Sequence, residues 1–556
     1  MDKAEVKKLI ERQKALKAKR TVWESHWQEL SEFVAPRQND FKGQNTPGEK
    51  KRNRYTNGRP EYFVSVLAAT FGSLLSNPAT QWFKLNLRGY DVNQNIEAKR
   101  WMDEVEQKVV SVFTNSNFTQ EVDRVYQDLA VFGTALLYCE EDDDEFVRFS
   151  ARSVSECLID VNDKGDVDTV FRIFMMPLRQ IAQKFGFENL SDDMKKQTNK
   201  NPDKEYRVIH ACYPRFYFDP NKTDSKNMPW VSCWLTEEGT CLKESGYNEF
   251  PWAIPRFRVF TGEMYGRSQA MIALPNIKHV AIVEKTAIKA RELDTMPPMV
   301  VEGDAMLSPF VLAPGSVLRV RRMNQRPQPL VTNVNPRSAD IQVEYKLNEI
   351  KEAFYYDIIM TQDGPQKTAT EIIQRSDERS RVLTNALSRI QRELFQPLIG
   401  RVLAILARKG EFPEPPEVIV EQLRKNKRKI DIIYTSPLAN ASIGHKAHSI
   451  VRYVEAMAPL AQAIAMGSPV FDRLNIMEAT KVVADGFGVP ASVLVSDREI
   501  MEKQEAAAQA AQAQAEAQSL MQMSEGVKNI AKAEKDAAGG QGPASAILKQ
   551  LGDQVQ

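Results

Sequence analysis

The chain has 556 residues and lacks the features by which a membrane protein or a common enzyme is recognised. No apolar run approaches the ~18 residues of a transmembrane helix. The charged N-terminal stretch has no apolar core, so no signal peptide is expected. No G-x-x-x-x-G-K-S/T loop is present and no G-x-G-x-x-G follows a strand pattern, which argues against nucleotide hydrolysis and dinucleotide chemistry. No serine lies in a G-x-S-x-G elbow.

Histidine and cysteine are scarce, with five of each. The cysteines are Cys139, Cys157, Cys212, Cys233 and Cys241. They show no C-x-x-C spacing, which predicts a reduced intracellular chain in which they are small core residues. His445 and His448 share a helix face without an evident third ligand, so a surface pair is favoured over a zinc site. These patterns predict no catalytic residue, metal or cofactor, and they indicate a structural protein.

Charge of either sign is not in excess. Lysine plus arginine number 74 and aspartate plus glutamate 73, a formal net charge of +1. A dedicated nucleic-acid binder is usually more basic, so any DNA contact should be local or weak. The acidic run 140–145 could bind a metal, but no histidine or spaced carboxylate lies nearby, so a solvated turn is favoured.

The longest helical pattern spans residues 341–409 and has a glycine- and proline-containing break at 361–367 (TQDGPQK). The second segment opens at 368–371 (TATE) with the spacing of a capping box. Pro397 is predicted to bend this helix, and Gly410 is predicted to end it. Charged residues that fall largely off its apolar stripe include Arg375, Arg389, Arg392, Glu393 and Arg401. A helix of about 42 residues would be about 60 Å long, which suggests a spine for assembly.

The rest of the chain predicts an α+β protein that is mainly helical. Helices are predicted at 1–34, 59–75, 95–114, 117–132, 268–293, 341–360, 445–466 and 476–486. Strands are predicted at 81–87, 134–139, 146–151, 156–160, 167–175, 207–213, 216–218, 230–236 and 430–434. Two helices thus bracket a small β module at 295–340. Beyond residue 500 the sequence predicts an Ala/Gln-rich helix and then a flexible tail.

Several stretches together resemble the portal, or head-to-tail connecting, proteins of short-tailed bacteriophages. They are 23–36 (WESHWQELSEFVAP), 62–85 (YFVSVLAATFGSLLSNPATQWFKL), 265–298 (YGRSQAMIALPNIKHVAIVEKTAIKARELDTMPP), 368–410, 434–439 (YTSPLA), and 471–472 ahead of 486–490 (GFGVP). No single piece is specific, but their order and spacing cover about residues 10–500.

The resemblance implies a multi-domain portal fold that assembles as a twelve-subunit ring at one capsid vertex. Its parts would be a wing (1–267), a first stem helix (268–294), a clip (295–340), a second stem helix (341–360), a tunnel loop (361–367), a long kinked wing helix (368–410), a crown (411–500), a helical barrel (501–540) and a flexible tail (541–556). The ring's channel would pass double-stranded DNA inward during packaging and outward during ejection.

The resemblance also implies two sets of site residues. The tunnel-loop residues expected to make weak, non-specific contacts with DNA are Gln362, Asp363, Gly364, Gln366 and Lys367. The clip residues expected to face an acidic docking partner or entering DNA are Arg319, Arg321, Arg322 and Arg326. For these arginines a role between subunits, or simple solvation, is an equally open interpretation.

The implied partners are further copies of the chain, viral DNA, the terminase large subunit, a tail adaptor or head completion protein, and the major capsid and scaffolding proteins. No membrane partner is expected. The implied location is the portal vertex of the virion, after synthesis in the host cytoplasm. Two alternatives remain: another head–tail structural adaptor, and a metal-dependent DNA-processing enzyme that uses the acidic run 140–145.

Overall fold

The computed structural model describes residues 3–36, 41, 57–88, 95–219, 222, 224–295, 299–300, 328–329, 336–360, 385–425 and 430–435, with single residues between 450 and 532. The chain separates into two compact units. The first comprises 1–86, 104–414 and 430–442, and the second comprises 87–103, 415–429 and 443–556. The features described below lie in the first unit, except for residues 87, 96–103 and 417–425, which belong to the second unit. None of the described helices is both long and apolar enough to span a membrane.

Four long helices and a short strand precede the main sheets. They are α1 (Lys3–Phe33), α2 (Arg59–Leu75), β1 (Phe83–Leu87), α3 (Ile96–Asn115) and α4 (Phe118–Phe132). Trp27 of α1 is fully buried; its indole N–H donates to the carbonyl of Phe132 at 3.2 Å, and its ring meets Tyr265 edge-on at 5.0 Å. Burying such a ring while satisfying its one donor fixes α1 against α4.

Two antiparallel sheets follow. Their strands are β2 (Leu136–Glu141), β3 (Val147–Arg152), β4 (Cys157–Val161), β5 (Val167–Pro177), β6 (Glu205–Pro214), β7 (Trp230–Thr236), β8 (Cys241–Tyr247) and β9 (Trp252–Ala253). The smaller sheet has the order β3-β2-β9, and the larger has the order β4-β5-β6-β7-β8. Helices α5 (Leu178–Phe185) and α6 (Asp192–Lys200) connect β5 to β6.

Helices cover both faces of the larger sheet, as the alternation of its side chains requires. On one face Ile209, Cys233 and Leu235 pack with residues of α1. On the other face Val208 and Trp234 pack with residues of α5 and α6. Neighbouring side chains along β6 and β7 therefore pack into different cores. A shift of the strand register by one residue would exchange the side chains that face each core.

The remaining described elements are α7 (Gln269–Thr295), β10 (Met299–Val300), β11 (Gln328–Pro329), α8 (Pro336–Ala353), α9 (Tyr356–Ile359), α10 (Gln396–Lys409), α11 (Glu417–Lys425) and β12 (Ile430–Tyr434). Helix α11 belongs to the second unit. Strands β10 and β11 pair antiparallel, and β12 pairs with β1. The described fold is mixed helix and strand, in agreement with the predicted α+β class.

Most predicted elements lie within a few residues of the observed ones, but two predictions need correction and some elements were not predicted. The predicted strand 216–218 is not a strand, since β6 ends at Pro214 and the chain bends there, leaving Phe216 and Tyr217 exposed. Sequence reasoning missed α5, α6 and β8. The predicted helix 341–360 begins earlier, at Pro336, and is interrupted at Tyr355, whose φ of +58° is left-handed and cannot continue a helix.

The described part of the long helix begins at residue 385 and ends at Lys409, and residues 361–384 lie outside the described residues. Its turn Gln391–Phe395 is π-helical and lies directly before Pro397. Proline has no N–H with which to continue the α pattern, so a wider turn beside it is a reasonable accommodation. The predicted end is confirmed: Gly410 has φ +72°, and its N–H bonds to the carbonyls of Leu406 and Ala407.

Candidate functional site

Helices α7 and α8 form an antiparallel pair that leads from the body toward residues 296–335. Near the start of α7, the Gln269 amide donates to the Tyr355 hydroxyl just after α8, at 2.6 Å. At the other end of α7, Arg291 forms an ion pair with Asp340 near the start of α8. These contacts tie the two ends of the pair together.

Exposed residues recur on α7 with spacings of three and four. They are Ile272, Pro275, His279, Ile282 and Thr286, and with Leu293, seven residues further on, they form what we call the α7 stripe. These six residues are uncharged, and Ile282 is 66% exposed; the exposed Lys289 lies between Thr286 and Leu293 on the same side of the helix. A three-four repeat is the pattern with which one helix packs against another. In the part of the chain that the structure describes, the stripe is exposed, and its spacing is that of a surface for contact with another helix.

Helix α8 adds a second exposed apolar surface. Ile341 is 68% exposed and Tyr345, four residues later and one turn along, is 63% exposed. Single exposed apolar residues are ordinary on protein surfaces, but a patch of several on one helix pair marks an interaction site. The pair thus offers two apolar surfaces, one on each helix.

The root of the helix pair is fixed to the body by polar contacts and by glycine. Ser268 caps α7: its hydroxyl accepts from the Met271 N–H at 3.1 Å and donates to the Val131 carbonyl at 2.7 Å. Gly266 passes so close to the backbone of Gly133 that an added Cβ would lie 2.2 Å from the Gly133 carbonyl oxygen. No other residue fits there without displacing backbone.

A buried ion pair fixes the long helix to the same root. The Arg256 guanidinium donates to both oxygens of the Glu393 carboxylate, with Nη2–Oε1 at 2.7 Å and Nε–Oε2 at 3.1 Å. Arg256 also donates to the carbonyls of Gly165 and Met264 at 2.8 and 3.2 Å. The two ion-pair side chains are 2% and 10% exposed. This one arginine therefore joins three segments that are distant in sequence.

A second buried arginine lies about one helical turn past Pro397. Arg401 donates to the carbonyls of Cys139 and Glu249, each at 3.0 Å, and its side chain is 2% exposed. Glu393 and Arg401, which the sequence pattern left off the apolar stripe, are therefore buried. Their polar partners lie on other segments, and periodicity along one helix cannot reveal such partners.

Residues 142–145 of the acidic run lie in the turn between β2 and β3, and Glu140 and Glu141 are the last residues of β2. The Asp142 carboxylate accepts the N–H groups of Asp144 and Glu145, which lowers the pKa of Asp142. The end of α10 contacts the residues beside this turn, because Arg408 forms ion pairs with Glu141 and Glu249. Among the described residues there is no group of three or more His, Cys, Asp or Glu placed to hold a metal ion.

His210 is a core residue. Its ring stacks on Trp234 at 4.0 Å and bonds to the Ser232 hydroxyl at 3.0 Å, and burial lowers the pKa of His210 to about 3. His445 and His448 lie outside the described residues. So do the predicted tunnel-loop residues Gln362, Asp363, Gly364, Gln366 and Lys367, and the predicted clip residues Arg319, Arg321, Arg322 and Arg326.

Comparison with known proteins defines the class. A sequence family described as "Bacteriophage head to tail connecting protein" matches residues 6–494, and the chain belongs to this family. It is a structural protein and not an enzyme. Among its relatives is the portal protein of Salmonella phage epsilon15, 30% identical over 543 residues, which are 94% of this chain and 95% of that protein.

A further relative is the probable portal protein of Bordetella phage BPP-1, 27% identical over 535 residues, covering 92% of this chain and 94% of that protein. The resemblance described from the sequence pieces is therefore confirmed. The chain is a phage portal-type connector and is associated with the virion.

The buried ion pair gives a first prediction. Glu393→Gln leaves the Arg256 guanidinium buried without a counter-charge, which should lower the free energy of unfolding by about 3 kcal/mol. Urea unfolding followed by tryptophan fluorescence measures this change. The matched control is Glu237→Gln, which removes an exposed pair with Arg207 at 3.1 Å and should change the free energy by less than about 1 kcal/mol. Equal effects of the two substitutions would contradict the assigned role.

Proposed function

We propose that the chain assembles through its α7–α8 helix pair into a ring, with twelve subunits, at one vertex of the capsid. The channel of the ring passes double-stranded DNA during packaging and ejection. The observation that carries this proposal is the family match across residues 6–494, combined with an exposed apolar surface on the helix pair. A ring of identical subunits needs such a surface on every copy.

The charge balance fits a conduit. With a formal net charge of +1, the chain offers no general excess of cations to hold phosphates. A strongly basic lining would bind DNA tightly and with a steep salt dependence, and so would slow its passage. Weak contacts from a short polar loop, residues 361–367, suit a channel that must release the DNA it guides.

The remaining parts follow the domain division given with the resemblance. In this proposal, residues 295–340 form the clip that docks the terminase large subunit during packaging and the tail adaptor afterwards. Residues 411–500 form a crown and 501–540 a helical barrel. Major capsid and scaffolding proteins surround the ring, and the chain is synthesised in the host cytoplasm.

The α7 stripe gives a second prediction. Ile282→Glu introduces an unpaired carboxylate into a subunit contact, at a cost of roughly 3 kcal/mol for each contact. Because about 1.4 kcal/mol is a factor of ten, the association constant should fall about a hundredfold or more. Mass photometry of the purified chain should show monomers in place of rings. The side chain is exposed in the single chain, so folding measured by circular dichroism should be unchanged.

Ile288→Glu is the matched control for this substitution. Ile288 lies on the same helix and is 50% exposed. It lies about 120° around the helix from Ile282, off the α7 stripe. Rings formed by Ile288→Glu but not by Ile282→Glu would support the stripe as the contact. Rings formed by both variants would exclude it.

The tunnel loop gives a third prediction. Deleting residues 362–366 should leave rings and empty capsids intact, because the proposal places the subunit contacts on α7 and α8 and not on this loop. DNA packaging or genome retention should fall at least tenfold, as measured by nuclease-protected DNA per particle. Unchanged yields of full, infectious particles would exclude a role of the loop in contact with DNA.

The clip arginines give a fourth prediction. Replacing Arg319 and Arg321 by Glu should weaken binding of an acidic docking surface at least tenfold, since attraction becomes like-charge repulsion. Pull-down of the motor subunit and of the tail adaptor by purified rings measures this binding. Ring formation should persist. Unchanged binding would leave the arginines with a structural role only.

A further inference from the structure

Two cysteines lie beside each other on the β7–β8 hairpin. The pairing places Trp234 opposite Lys243 and Leu235 opposite Cys241, with a register shift between the two pairs. Leu235 and Cys233 project from the same face of β7 because side chains alternate along a strand. Cys241, opposite Leu235, is therefore the diagonal neighbour of Cys233 on that face, and both cysteines pack with the same cluster of core residues.

This face of the hairpin lies under helix α1. Cys233 belongs to the core formed with Val6 and Leu9, and Cys241 packs against the edge of that core. Cys233 is fully buried, whereas Cys241 is partly exposed. Cys241 is therefore the member of the pair that is open to solvent, and Cys233 is its buried neighbour.

The exposed member is also the more acidic thiol. The neighbouring Cys233 thiol, as a hydrogen-bond donor to the Cys241 sulfur, lowers the pKa of Cys241, against the opposing effect of partial burial. Burial raises the pKa of Cys139 and of Cys157 to about 12, and these two side chains are fully buried. Since the thiolate is the nucleophile in thiol chemistry, Cys241 is the cysteine prepared to react.

We propose that Cys233 and Cys241 form a redox-active dithiol that closes to a disulfide when the protein meets a low-molecular-weight disulfide. Both thiols stay reduced in a reducing cell interior, and virion surfaces are among the places where disulfides persist. The hairpin is then covalently closed beneath α1 only after the particle has left the cell. The timing of this oxidation rests on the location of the protein in the virion. The reactivity of the two thiols rests on the hairpin alone.

The reaction has two exchange steps. The Cys241 thiolate attacks one sulfur of glutathione disulfide, the S–S bond of that molecule breaks, and one glutathione thiolate leaves. Cys233 then loses its proton and attacks the Cys241 sulfur, which releases the second glutathione. Two electrons pass from the protein to the oxidant, and the two protons of the cysteine thiols end on the two released glutathione molecules.

The experiment uses the full-length native chain and glutathione disulfide, followed by alkylation in denaturant and tryptic digestion. Both cysteines fall in one tryptic peptide, 227–243, between Lys226 and Lys243. The expected product is this peptide without alkyl groups and lighter by two hydrogen atoms. The peptides that contain Cys139, Cys157 and Cys212 should carry the alkyl group and no glutathione.

Two variants identify the order of attack. Cys233→Ser should stop at a lasting glutathione adduct on Cys241, because no second thiol can release it. Cys241→Ser should leave Cys233 unmodified, because Cys233 is buried. If the wild-type peptide keeps two alkylated thiols, or keeps glutathione on Cys241, the proposal is overturned. That wild-type result decides the question even where a variant fails to fold, and it is independent of ring formation.

Discussion

The ion pair between Arg256 and Glu393 is the constraint on which the arrangement of the described body depends. Removing a guanidinium and a carboxylate from water costs several kcal/mol for each ion, and only close geometry with further hydrogen bonds compensates for this. Both requirements are met, since Arg256 also binds the carbonyls of Gly165 and Met264. A long helix held only by apolar contacts could slide by a turn, whereas this pair allows one position.

The π turn and the ion pair lie at the same place on the long helix. The turn Gln391–Phe395 contains Glu393 and precedes Pro397, so the helix is wider at the place where it meets the body. Arg392 in the same turn reaches Asp166 at 3.0 Å, beside Gly165. An extra residue in the turn shifts every later side chain by about 100° around the axis. The π turn therefore helps to set the direction of the Arg401 side chain. The hydrogen bonds of Arg401 to the carbonyls of Cys139 and Glu249 depend on that direction.

Sequence patterns anticipated those parts of the fold whose signal is local. The amphipathic repeat of α2 predicted its bounds correctly, because a helix buried on one side has an apolar repeat. The bounds of β7 were also predicted correctly, from a short run rich in apolar residues, and this strand is buried on both faces. Helix α6 is almost wholly polar, with Met194 as its buried residue, and left no such signal. For the candidate site, the two helices around 295–340 were anticipated, but an exposed isoleucine and a buried one look alike in sequence. The roles of Arg256, Glu393 and Arg401 depend on distant partners and could not be derived from local spacing.

The two apolar surfaces of the helix pair bear on the kind of assembly that is possible. If the α7 stripe met the same stripe on another copy, the contact would be self-complementary and association would stop at a dimer. If it meets the surface of Ile341 and Tyr345 on the next copy, each subunit keeps one free surface of each type until the ring closes. Charge does not oppose this contact, because lysine and arginine on α7 are nearly balanced by acids. The closure of a ring would then be set by the angle between α7 and α8, which the contacts of Gln269 with Tyr355 and of Arg291 with Asp340 hold at the two ends.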